Sequence, residues 1–221
     1  MYALPLLALP ALASALFVPR VPVAYYDPNA NGGSMLDSVG SSGLGEPLNI
    51  ILSGLSSPAV LTDAGVLNYA RAIGFSEECF GIHQGGPQTA NLGDGNGYTD
   101  QLVELRQDYG SAGVGTCLES LVGGNHFRIW RQNGTEANSG ALFFATSQEE
   151  DVTEHHTIVP DGYNIGRDLL AQAAVGTTSY GGVTYNTVAN NVTGLLKPGV
   201  EGVNHNISTD GITTILTVTI Q

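Results

Sequence analysis

Residues 211–221, "GITTILTVTIQ", alternate apolar and threonine positions at a period of two, the repeat of a β-strand with one buried face. Such a segment needs a sheet to cover it. Further short β-type runs occupy 47–55 ("PLNIILSGL"), 99–108, 116–122, 125–132, 140–147, 154–160 and the stretch "GGVTYNTVANNV", each bounded by Gly, Pro, Asn or Asp. Only two stretches carry a helical pattern. After Ser57 as N-cap and Pro58 at the first helical position, Val60, Leu61, Ala64, Leu67, Ala70 and Ala72 form a stripe that Gly74 ends. Residues 161–175, "DGYNIGRDLLAQAAV", form the second, with Asp161 as its N-cap. The expected fold class is therefore α+β: a largely antiparallel or mixed sheet with two main helices packed on it.

The expected organisation has three parts. Residues 1–18 have the short apolar core and small-residue exit ("ALASA") of a signal peptide, and are too short to span a bilayer. Residues 19–46 carry Pro, Gly, Ser and Asn without period and read as an extended leader or linker. Residues 47–221 form a single domain with no second long apolar segment, so no membrane span is expected. Secretion agrees with three glycosylation sequons, at Asn133, Asn191 and Asn206, and with two cysteines, Cys79 and Cys117, which most simply pair in an oxidising compartment. Acidic residues outnumber basic ones 20 to 7, for a net charge of −13, which disfavours nucleic acid and anionic membranes as partners. Weakly charged C-terminal strands suggest an exposed sheet edge and self-association.

With so few cations, the run "NHFRIWRQ" stands out. On a strand, His126, Arg128 and Trp130 share one face over about 13 Å, and Phe127, Ile129 and Arg131 share the other. An imidazole, a guanidinium and an indole in a row can move a proton, fork an oxyanion and stack on a ligand. The same residues can equally be internal hydrogen-bonding struts. His155 and His156 are adjacent, so one at most joins that row. Arg167 and Asp168 lie early in the second helix, where an anion gains from the helix dipole; as an ordinary ion pair they would add little. Asp94, Asn96 and Asp100 are spaced loosely like a calcium loop, but Tyr98 and the position of Glu104 break the pattern, leaving a glycine turn. The acidic stretch 149–151 before His155 reads as a solvated loop. No metal or cofactor is expected.

The order of these pieces resembles the LssY-like C-terminal domain family, in its secreted fungal form. The match runs over roughly residues 47–175: a strand–Gly–helix opening, then His126-x-Arg128-x-Trp130, Gly140-Ala141, His156-x-Ile158-x-Pro160-Asp161 and Arg167-Asp168. The Gly-rich 80–98 loop and the Thr-rich C-terminal strands depart from the family. Bacterial members accompany lipid-phosphatase-like membrane domains, so the resemblance implies phospho-ligand chemistry. It groups His126, Arg128, Trp130, His156, Arg167 and Asp168 into one expected site for a small phosphate- or carboxylate-bearing ligand, with His126 and His156 as acid or nucleophile if that ligand is hydrolysed. The Arg-His-Gly, DxDxT and GxSxG signatures of ordinary phosphatases and esterases are absent. The alternative is a non-catalytic extracellular or cell-wall structural glycoprotein, able to self-assemble.

Overall fold

The computed structural model describes residues 21–81, 86–155 and 157–221. The expected signal peptide, 1–18, and His156 lie outside these residues. In chain order the elements are β1 (Ile50–Leu52), α1 (Asp63–Ala72), β2 (Phe75–Glu77), β3 (Thr89–Asn91), β4 (Tyr98–Asp100), β5 (Val103–Gln107), α2 (Gly115–Val122), β6 (Gly124–Arg131), β7 (Leu142–Glu149), α3 (Gly162–Ala174), β8 (Gly176–Tyr180), β9 (Val183–Thr193) and β10 (Ile212–Ile220). Eight strands form one sheet in the order β2-β5-β6-β7-β1-β10-β9-β8, and β3 and β4 form a separate hairpin. Every pairing in the large sheet is antiparallel except β1 with β10. The class is α+β, as the residue pattern implies.

The period-two rule places side chains as expected. On one face, Ile50, Leu52, Phe75, Leu105, Phe127, Ile129, Phe144, Leu216 and Val218 form a core closed by Tyr69 and Ala70 of α1 and Leu170 and Ala174 of α3. Phe127 stacks on Phe144 with ring centroids 4.9 Å apart. Gly166 lets α3 approach β7: a Cβ there would sit 2.7 Å from the Ser147 Cα. On the other face, Ile51, Trp130, Phe143, Ala145 and Ile215 pack under Met35, Leu48, Ala90 and Leu92.

That second core corrects the reading of 19–46 as a linker. From residue 21 the segment belongs to the domain: Met35 is buried, Leu36 bridges Pro47, and Ser38 bridges Thr89. Four further expectations change. Residues 116–122 are helix α2, not a strand. Residues 154–160 supply only an isolated bridge from Ile158 to Glu149, after a 3-10 turn at Val152–Glu154. α1 begins at Asp63, because Thr62 rather than Ser57 accepts from the Gly65 N–H as its cap. Asp161 precedes α3 with φ +63° but makes no capping bond; it accepts from the Asn164 side chain instead.

The C-terminal strand is not an edge. β10 lies between β1 and β9, and the edges of the sheet are β2 and β8. At β8, Asn68 of α1 donates to the Tyr180 carbonyl, and the Arg71 guanidinium sits 5.8 Å from the Tyr180 ring centroid. Cys79 and Cys117 form a disulfide that ties α2 to the turn after β2. No helix of the described residues is long and apolar enough to cross a membrane.

Candidate functional site

β5, β6 and β7 bring charged groups to one end of the second face, because Glu104 and Arg106, His126 and Arg128, and Ser147 and Glu149 occupy alternate positions on three paired strands. α2 adds Glu119 from above, and the N-terminal segment adds Glu46 and Asp37. Arg106 is the hub. Its guanidinium lies 2.8 Å from Glu104, 2.8 Å from Glu149, 3.1 Å from Glu119 and 3.5 Å from Glu78. Arg128 is the second hub, 3.0 Å from both Glu46 and Glu104. His126 joins them: its Nε2 is 3.0 Å from an Arg128 nitrogen, and its Nδ1 is 3.4 Å from Glu149. Ser147 Oγ lies 3.4 Å from both ring nitrogens.

Five carboxylates thus surround two guanidiniums in a largely buried layer. Burial pushes Glu149 up to about 7, against the pull of Arg106 and with help from the charge of Glu119. Glu119 is raised by burial too, although Arg106 opposes it. Asp37 is pushed well above the usual carboxylate range by burial and by the neighbouring Glu46 charge, while it accepts the Glu46 N–H at 2.6 Å. Burial alone would lower Arg128; Glu46 and Glu104 outweigh it and keep the guanidinium charged.

A raised carboxyl pKa fixes the sign of the pH dependence. The stabilisation is fully present below the unfolded value of about 4.5, where both states are protonated. It is lost as pH rises through about 7, because the folded state must then ionise a buried acid. Glu149 alone carries ~3 kcal/mol of this. The urea midpoint is expected to fall from pH 5 to pH 8, and Glu149→Gln to flatten part of that fall; Asp37 and Glu119 act in the same direction and keep the rest. A wild-type midpoint that rises over this range would contradict the assignment.

The structure brings together two of the residues expected to form the anion site, His126 and Arg128. Trp130 shares their face, as expected, but its ring is 0% exposed within the second core, so it offers no stacking platform. Arg167 is held by a different set of described residues. Its guanidinium takes both oxygens of Asp210, at 2.6 and 2.9 Å, the Asp168 carboxylate at 2.8 Å and the Ile212 carbonyl at 3.1 Å. Asp168 is exposed and lines an open groove with Gln172, Asn190 and Asn191. Sequence reasoning missed Glu46, Glu104, Arg106, Glu119 and Asp210. Glu104-x-Arg106 carried a signal, since alternate charges in an otherwise apolar strand share a face; Glu46 and Asp210 carried none.

Asp94 is buried and staples two loops, accepting from the backbone N–H groups of Asn96, Asn133 and Gly134. Its oxygens serve the turn that joins these loops. Glu149, read as part of a solvated loop, is buried instead. Asn133, Asn191 and Asn206 are all exposed. No family model matches the chain, and no curated protein or solved structure matches it either.

Proposed function

We propose that this is a non-catalytic extracellular glycoprotein domain whose histidine and arginine residues are internal struts. One observation carries the reading: the guanidiniums expected to hold an anion already hold carboxylates, Arg128 those of Glu46 and Glu104, Arg167 those of Asp210 and Asp168. An incoming phosphate would have to displace a carboxylate and enter a layer already richer in acids than in bases, which costs desolvation without adding a cation. The network also has a constructive role. Glu46 on Arg128 fastens the N-terminal segment to the sheet, and Glu119 on Arg106 fastens α2. The disulfide and the three exposed sequon asparagines support an extracellular, glycosylated protein.

The test is thermal unfolding and calorimetric titration of the whole protein with inorganic phosphate, inositol hexakisphosphate and citrate. A ligand at a hundred times its Kd adds ~2.7 kcal/mol of stability. None of the three is expected to give a saturable rise in Tm or a stoichiometric heat. A saturable rise with one of them that disappears in His126→Gln would restore the anion-binding reading.

A further inference from the structure

α2 is amphipathic in the wrong direction. Its buried residues are Gly115, Thr116 and Glu119, while Leu118, Leu121 and Val122, with Val114 just before the helix, point to solvent. Positions 114, 118, 121 and 122 fall within an arc of about 100° on a helix of 3.6 residues per turn, so they form one stripe. The inward face is held by other means: the Cys117–Cys79 disulfide, the Glu119–Arg106 ion pair, and a close approach at Gly115, where a Cβ would lie 1.4 Å from the Asp108 carbonyl oxygen. Turns against the helix extend the apolar surface. Phe80, next to Cys79, is 82% exposed, and Val152 is also exposed. Phe80 keeps that position with φ +54°, a conformation unfavourable for a bulky residue. Exposed apolar side chains gathered on one helix and on the turns beside it mark an interaction surface.

The charges nearby decide what fits it. Glu150 and Glu154 flank the Val152 turn, and neither pairs with a cation among the described residues. Among the described residues, a second copy of this chain has no uncommitted cation to answer them. Arg71, Arg106, Arg128, Arg131, Arg167 and Lys197 are each engaged by the chain's own carboxylates, and two copies at −13 repel. An anionic lipid surface is repelled for the same reason. We propose that the α2 ridge, with Phe80 and Val152, is a docking surface for a partner protein segment that presents an apolar stripe flanked by lysine or arginine. The ridge supplies apolar area and the Glu150 and Glu154 rim supplies orientation.

The probe is a labelled fourteen-residue amphipathic helical peptide built only from leucine and lysine, titrated against the whole protein by fluorescence anisotropy. Binding is expected, and it should weaken about tenfold or more in Leu118→Ser/Leu121→Ser, since each leucine lost removes over a kcal/mol of apolar burial. It should also weaken severalfold in Glu150→Lys/Glu154→Lys and at raised salt. Leu118, Leu121 and Glu154 are exposed and Glu150 is half-buried, so an unaltered Tm confirms that each variant remains folded. Unchanged affinity in the leucine variant overturns the proposal, as does equal binding of a leucine–glutamate peptide. Dimerisation of the wild type that the leucine variant abolishes would make the occupant a second copy. Binding to phosphatidylcholine vesicles with the same leucine dependence would make it a membrane. Either result overturns the proposed partner.

Discussion

Arg106→Ala is expected to abolish the folded state at neutral pH and to recover it in part in acid. The guanidinium compensates Glu104, Glu119 and Glu149, each under a tenth exposed, with Glu78 at its rim. Removing one partner from a buried ion pair costs roughly 3–5 kcal/mol, and here one cation serves several acids. That loss approaches the whole stability of an ordinary domain, about 5–15 kcal/mol. Without the guanidinium, whose pull opposes burial, the carboxyls of Glu119 and Glu149 rise further above their unfolded values. The folded state is then tolerated below an unfolded pKa of about 4.3, where the acids are neutral in both states, and is lost as pH rises through the raised native values. Urea melts at pH 7.5 and pH 4.0 separate the outcomes: no cooperative transition at the higher pH and a measurable one at the lower. Arg106→Lys should fall between, since a point charge cannot fork so many oxygens. An Arg106→Ala midpoint equal to that of the wild type at pH 7.5 would mean the network adds nothing to stability.

Loss of the Cys79–Cys117 disulfide is expected to have the next largest effect. The cysteines are 38 positions apart, which corresponds to ~4 kcal/mol of loop-closure entropy in the unfolded chain. The local consequence should exceed what that figure suggests, because α2 turns its apolar side chains outward and gains little from burial. In Cys79→Ser/Cys117→Ser, amide exchange across Gly115–Val122 should accelerate towards that of open segments. The amides of β1 and β7 should change only by the global loss. Protection of α2 that stays level with that of β7 would show that Glu119 and the Gly115 contact hold the helix unaided.

The same inverted helix explains where sequence reasoning fails. "TCLESLV" mixes β-branched and apolar residues over a short run and carries no inward apolar stripe, so it reads as a strand; what makes it a helix lies outside it, at Cys79, Arg106 and Asp108. β6 is the opposite case. Its alternation assigns His126, Arg128 and Trp130 to one face correctly, because strand geometry is local. Whether that face meets solvent is not local: it is covered by residues 34–48, whose Gly and Ser content hides Met35, Glu46 and Leu48 among turn formers. Arg167 shows the limit most plainly. Its main partner, Asp210, is 43 positions away, and nothing in the spacing announces the pair.

The short strand β1 touches β7 on one side and runs parallel to β10 on the other, so these three-residue contacts are the seam between the two halves of the sheet. A nascent chain can assemble β5, β6 and β7 early, but the seam stays open on the ribosome until residues 212–220 have emerged. Until then Ile51 and Leu52 have β7 on one side only, and a half-made sheet displays an unpaired central margin. That order of synthesis makes the protein dependent on late, distant closure, the kind of step that is slow and that folding helpers in a cell are built to shelter.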